Sequence, residues 1–263
     1  MRSHLLSHLN WQEVQEITRE PSVVLLPVGS LEQNGPACPL GTDSIIADYF
    51  CQRLAQITGS VVAPTIPYGQ SEAFKAFPGT VWLRPETLRR VVADVCMGLA
   101  ESHFTHILVV NNHGRNEPTI EDAAREVFEK TDVVIGVIWP LGVMGELARR
   151  SACLPAESMG HGGEPMASII RYIVPDALRL EGAGPDHLSQ WGEFSVVNSY
   201  KASFKGLPFG LFVDIAQVSD SGTTGNPADA SSEFGEQLLQ EALSWAAEAV
   251  EAFRHLKRTS PGG

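Results

Sequence analysis

Glu32 and Asp43 stand on one short loop bent by glycine and proline, Gly29-Ser30-Leu31-Glu32-Gln33-Asn34-Gly35-Pro36-Ala37-Cys38-Pro39-Leu40-Gly41-Thr42-Asp43. Two carboxylates so placed begin a site for zinc or a hard divalent cation. The loop follows Val23–Val28, an apolar run that reads as a buried strand, and ligands of open α/β sheets gather beyond the carboxyl ends of such strands. The arrangement repeats downstream, where the strand-like run His106–Val110 leads into Asn111-Asn112-His113-Gly114-Arg115-Asn116. A third segment, Gly160-His161-Gly162-Gly163-Glu164-Pro165, sets a histidine and a carboxylate among glycines. Three segments far apart in the chain thus each offer one or two groups that ligate a cation or carry a proton, which is how catalytic metal sites are usually assembled.

The elements that must position these groups alternate. Asn10 is placed to cap a short helix ending at Ile17, a strand follows over Ser22–Val28, and Thr42 or Asp43 opens a helix to about Ile57. Val61–Pro64 reads as a short second strand. Arg84-Pro85-Glu86-Thr87 starts a long helix with Leu88, Val91, Val92, Val95 and Leu99 at three-and-four spacing, leading to the strand before His113. Glu117–Lys130 reads as helix, Val133–Ile138 as strand, and Ala228 to about Arg254 as a long closing helix. Alternation of this kind predicts an α/β fold with a mostly parallel sheet flanked by helices on both faces.

Thr65–Gly79, Trp139–Gly160 and Gly182–Gly225 read as loops that serve specificity or subunit contact. Their aromatic residues, among them Phe74, Trp191, Tyr200 and Phe209, read chiefly as packing or interface residues. No repeat, low-complexity tract or linker divides residues 1–263, so one domain is expected.

Composition narrows the class. A net charge of -12 argues against nucleic acid and anionic membrane as partners, because both demand clustered Lys and Arg. Small polar substrates remain open. The four cysteines include no C-x-x-C pair and read as reduced thiols, with Cys153 in a loop-like stretch. No segment approaches the ~20 apolar residues that span a bilayer, and a cytoplasmic location is expected.

In order along the chain stand Gly29–Asp43, Phe77-Pro78-Gly79-Thr80, Asn111–Asn116, His161–Ser168 and Gly222-Thr223-Thr224-Gly225-Asn226-Pro227-Ala228-Asp229-Ala230. The series resembles the creatininase family of metal-dependent amidohydrolases, which includes creatinine hydrolases, formamide hydrolases of cofactor biosynthesis and a peptidase of peptide-derived cofactor maturation. The family pattern is G-S-x-E-Q-H-G-P-H-L-P-x-x-T-D, F-P-G-T, N-G-H-G-x-N, H-A-G-x-x-E-T-S and G-x-x-G-x-P-x-x-A. The resemblance spans nearly the whole chain and implies a creatininase-like three-layer sandwich, a homo-oligomer that is a hexamer, and a site built for two metals. Fold alone does not fix the reaction.

The departures matter as much as the matches. Where the family's first loop has two histidines this chain has Asn34 and Ala37, where creatinine hydrolases place a ligand glutamate it has Arg115, and Met166 replaces the glutamate of E-T-S. By resemblance the ligands of one metal survive as Glu32, Asp43 and His113, and those private to the second are gone. That implies one divalent ion per subunit, and a carboxylate-rich site with one imidazole accepts zinc, manganese or iron.

Arginine stays protonated and has no lone pair to donate, so it cannot ligate. Pointing inward, Arg115 would fill the vacated volume, partly neutralise Asp43 and offer a planar fork to a substrate carboxylate or developing oxyanion. Pointing outward, it meets solvent or pairs with Glu117. Glu164 is the nearby carboxylate able to complete the metal shell, or it is an early-helix acid facing the macrodipole. His161 is a proton carrier near pH 7 or a structural residue. His4, His8, His103, His106, His187 and His255 have no motif around them.

Together these readings describe metal-assisted hydrolysis of a C–N bond in a small amide, cyclic amide or formamide, with His161 handing a proton to the departing nitrogen. In reverse, the same site would close an amide or lactam. A third reading is a pseudoenzyme that kept the fold and binds a small ligand without turnover.

Overall fold

The computed structural model describes residues 3–151 and 154–258; Cys153 lies outside the described residues. Helix α1 (Trp11–Ile17) is capped by Asn10, whose side chain accepts from the N–H groups of Gln12 and Glu13 while the Glu13 carboxylate returns to the N–H of Asn10. That is a reciprocal capping box, which satisfies donors the first turn leaves orphaned. The chain then alternates through β1 (Val23–Val28), α2 (Thr42–Thr58), β2 (Val61–Val62), α3 (Pro85–Glu101), β3 (His106–Asn111), α4 (Glu117–Lys130) and β4 (Val134–Ile138).

The four strands form one parallel sheet in the order β2-β1-β3-β4. Val28 at the end of β1 pairs in register with Asn111 at the end of β3. Both strands therefore stop level, and the loops carrying Glu32 and His113 leave the sheet side by side.

Strand β1 is buried at every position, yet its side chains still alternate between two cores. Val23 and Leu25 join Leu108 and Val110 beneath α2, α5 (Pro140–Ser151), α6 (Met166–Ile173) and α7 (Ser232–Arg254). Val24, Leu26 and Val28 join Ile107 and Val109 beneath α3 and α4. A strand buried on both faces reads as a continuous apolar run, and the helices on both sides make three layers. Leu25 and Leu26 are fully buried; truncating either to Ala would cost about 2–5 kcal/mol.

Three differences from the sequence reading concern residues 139–232. Helix α5 occupies much of the stretch read as loop, and its apolar face supplies Met144 and Ala148 to the core. The closing helix starts at Ser232 because Pro227–Asp229 forms a separate 3-10 turn and Ser231 then accepts from the Phe234 N–H as N-cap. Within Gly182–Gly225 stands an antiparallel sheet of β5 (Gln190–Trp191), β6 (Phe194–Asn198), β7 (Lys201–Phe204) and β8 (Leu207–Gly210). Its strands are short and half-exposed, so their alternation is weak.

This second sheet is not detached. Val196 packs with Val213, Ile215 and Val218 against Ala73, Phe74 and Phe77, tying the sheet to the segment that follows the second parallel strand. Cys38, Cys51 and Cys96 are buried free thiols. Among the described residues no helix is long and apolar enough to cross a membrane.

Candidate metal centre

One oxygen each of Glu32 and Asp43 and one ring nitrogen of His113 lie within 4.8 Å of one another, all three residues buried. Glu32 comes from the loop after β1, Asp43 from the first turn of α2, and His113 from the residue pair beyond β3. Asp43 is 2.5 Å from the hydroxyl of Ser30, which donates to its Oδ2 and fixes the carboxyl plane. The loop is closed on itself by the Glu32 N–H donating to Leu40 O at 3.0 Å.

Asn116 decides how His113 presents itself. Its Nδ2 donates to Gly29 O at 3.0 Å and its Oδ1 accepts from the Gln70 N–H at 2.9 Å, so the amide is held in one orientation. Oδ1 also lies 3.2 Å from Nδ1 of His113, which must then carry the proton. The other nitrogen, Nε2, is left as the donor atom, and it faces Glu32 Oε2 at 3.1 Å. Tying the far nitrogen of a ligating histidine is the usual way a protein sets its tautomer and direction.

These residues fit a divalent ion. The Oε2 of Glu32 is buried with no hydrogen bond to it, and a separation near 3.1 Å from Nε2 is what two ligands about 2.1 Å from a common ion require. Without an ion the cluster holds protons instead. Burial pulls His113 down, but the Glu32 and Asp43 carboxylates outweigh it and push its pKa up to about 9. Burial, helped by Glu32, pushes Asp43 up to about 7 against the pull of His113 and the Ser30 hydroxyl. Burial also raises Glu32, yet His113 and His161 beside it bring it below the usual carboxylate value.

His161 approaches the same carboxylate from the other side, with Nδ1 3.7 Å from Glu32 Oε1. Its Nε2 is 2.8 Å from the main-chain O of Gln33, which only accepts, and 3.1 Å from the Gln33 side-chain Nε2; the shorter contact puts the proton on Nε2 and leaves Nδ1 free. The ring lies flat on Phe74, centroids 4.4 Å apart at 13°. Burial lowers the His161 pKa, with Glu32 and the Gln33 carbonyl opposing and His113 assisting. The ring is therefore neutral near pH 7 and able to accept at Nδ1.

Glu164 is fully buried but stands outside the three-residue cluster: its Oε1 accepts from Ser168 Oγ at 2.9 Å and its Oε2 has no partner. Burial pushes its pKa up to about 7. Arg115 meets Glu72 rather than Glu117, at 3.5 Å, and its guanidinium lies over the Tyr200 ring at 4.7 Å. Two of the aromatic residues read as packing thus belong to the site: Phe74 on His161, and Tyr200 on Arg115.

Gln33, Asn116 and Ser30 orient the site and were not singled out by the sequence, although all three sit inside its motifs. Glycines make their approach possible. A Cβ at Gly222, where φ is +74°, would come 2.5 Å from the Gln33 side chain, and one at Gly69 would come 2.6 Å from Asn116 Oδ1.

A parallel α/β sandwich that gathers two buried carboxylates and an oriented imidazole at its strand ends has the build of a metal-dependent enzyme. The creatininase family model, described as creatinine amidohydrolase, matches residues 7–250. The chain belongs to the creatininase family. It is 27% identical to the creatinine amidohydrolase of Pseudomonas putida, over 95% of this chain and 96% of that protein. It is 26% identical to the mycofactocin precursor peptide peptidase of Mycolicibacterium smegmatis, over 88% of this chain and 85% of that protein. A solved structure of creatininase with Mn superposes with a TM-score of 0.82 at 24% identity, covering 97% of this chain and all of that one.

Proposed function

We propose that this chain hydrolyses a C–N bond of a small amide, cyclic amide or formamide at a single divalent ion held by Glu32, Asp43 and His113. The observation that carries the reading is the convergence of those three buried side chains within 4.8 Å, with the His113 donor atom already turned toward Glu32. Zinc, manganese and iron all suit such a set, and the creatininase structure with Mn supports a metal of this kind. When bound, the ion supplies Lewis acidity and a water of lowered pKa.

The chain's own residues do the rest. His161 takes the proton of the attacking water at Nδ1 and returns it to the departing nitrogen, while the Gln33 carbonyl holds Nε2–H so that the ring cannot swing. Phe74 covers the ring face and keeps water from it. Ser30 and Asn116 hold Asp43 and His113 in the orientation the ion needs.

One ion is proposed because Arg115 and Asn34 occupy positions where the family's second metal takes ligands, and a protonated guanidinium both removes a donor and adds a repelling charge. The same reading treats residues 1–263 as one domain of a cytoplasmic homo-oligomer, a hexamer by family, acting on a small molecule. Exposed Trp191, Leu207, Phe212 and Trp245 support contact between copies.

Calorimetric titration with Zn2+ and Mn2+, alongside elemental analysis and assay of cyclic amides and formamides, tests the proposal. One tight ion per chain, amide turnover and poor hydrolysis of creatinine are expected. Two tight ions would overturn the single-ion site. No ion after metal-replete purification would favour a non-catalytic binder.

A further inference from the structure

Arg115 behaves unlike the arginines that serve structure in this chain. Arg254 donates to Thr58 O at 2.6 Å and Arg171 to Ala230 O at 2.9 Å, each tied to a backbone carbonyl that fixes one element on another. Among the described residues Arg115 makes no hydrogen bond. Its ion pair with Glu72 is long, 3.5 Å from Nη2 to Oε1, and both side chains are about one-third exposed, at 31% and 38%. Its guanidinium carbon lies over the Tyr200 ring, 4.7 Å from the centroid. A guanidinium held over a ring and not by hydrogen bonds keeps its N–H donors available, and such a fork grips a carboxylate with two parallel hydrogen bonds.

Position and charge agree with that use. Arg115 lies in the same 3-10 turn, Gly114–Asn116, that follows His113. Glu72 adjoins Ser71, a buried residue beside Glu32 that helps lower the Glu32 pKa. The Arg115–Glu72 ion pair therefore joins the turn next to His113 to the segment next to Glu32. Lys201 Nζ is 5.3 Å from the same Tyr200 ring and forms no ion pair among the described residues, so the ring carries two cations against the one carboxylate of Glu72. In a chain of net charge -12, a local excess of positive charge two residues from His113 attracts anions and does nothing for neutral substrates.

We propose that Arg115, held over Tyr200 with its N–H donors free of hydrogen bonds, is the subsite for a substrate carboxylate, so that this enzyme acts on small amides bearing a carboxylate near the scissile C–N bond. The inference rests on the hydrolase reading for its substrate but not for its measurement. Calorimetry on the full chain as purified would compare N-acetylglycine with N-acetylglycinamide, which differ only in carboxylate against carboxamide. The acid binds at least about 10-fold more tightly, as loss of a charge-assisted hydrogen bond implies. Arg115→Gln abolishes the preference, Arg115→Lys keeps part of it, and added salt weakens binding of the acid alone.

Equal binding of the two probes by the native chain, or no binding of either, overturns the subsite. So does a preference that survives Arg115→Gln, since the acid would then be held by the ion or another group. Should Arg115→Gln fail to fold by circular dichroism, Tyr200→Ala decides: it removes the platform and should reduce the preference, and an unchanged preference overturns the proposal. Ion content measured on the same samples separates the two readings. One ion per chain with no acid preference leaves the hydrolase standing without this subsite, whereas an Arg115-dependent preference with no ion does the reverse.

Discussion

His113 and His161 approach one carboxylate, Glu32, from two sides, each with one ring nitrogen tied and the other free. At His113 the tied atom is Nδ1, on Asn116, and Nε2 faces Glu32 at 3.1 Å. At His161 the tied atom is Nε2, on the Gln33 carbonyl, and Nδ1 faces Glu32 at 3.7 Å. Burial opposes charging in both. Two carboxylates overcome it at His113, whose pKa rises to about 9, whereas His161 sees one carboxylate and a neighbouring imidazole, and its pKa falls. The same residue type holds its proton where negative charge is concentrated and stays neutral where it is diluted.

Removing each histidine should break the comparison at different points. His113→Ala, like Asp43→Ala, should strip the ion and with it all turnover, read by elemental analysis of the purified variants; unchanged stoichiometry in both would refute the site. His161→Ala should keep the ion while lowering kcat by about 10²–10⁴-fold. A His161 variant that lost its metal would instead make His161 a ligand. A smaller effect is expected at Asn116→Ala, which frees His113 to rotate: metal affinity should fall about 10–100-fold in a chelator competition, with kcat at saturating metal largely retained.

Glu32 and Glu164 extend the contrast to carboxylates. Both are fully buried, but Glu32 has imidazoles beside it and its pKa is lowered, whereas Glu164 has only the hydroxyl and backbone N–H of Ser168 to oppose burial, which pushes it up to about 7. A raised pKa means that the stabilising contribution of Glu164 is complete below about 4.5 and is lost as pH rises through about 7. Glu164→Gln should therefore leave the melting temperature near native at pH 5 and raise it at pH 8, by the equivalent of roughly 3 kcal/mol at most. An unstable variant at pH 8 that had also lost its ion would show that Glu164 ligates.

Much of this was legible in the chain itself. Apolar runs of strand length alternating with helical periodicity predict the parallel sheet, the capping box at Asn10 is local chemistry, and the loops at Glu32, His113 and His161 announce themselves by residue type beside glycine. These signals are short-range, carried by neighbours within one or two turns. The antiparallel sheet over residues 190–210 escaped because its strands are short and half-exposed, and helix α5 was concealed by Pro140 at its start and by Gly142 and Gly145 within it.

Which histidine nitrogen faces Glu32, and whether Arg115 turns toward Glu117 or Glu72, depends on groups 40 to 130 residues away, from Gln70 and Gly29 on Asn116 to Gln33 on His161. The sequence pointed to Glu32, Asp43 and His113 beyond the ends of two strands, because each lies on a polar, glycine-bearing segment directly after an apolar run. Only the tertiary structure decided their roles, because proton position and pKa follow from hydrogen-bond partners and burial that no local spacing contains.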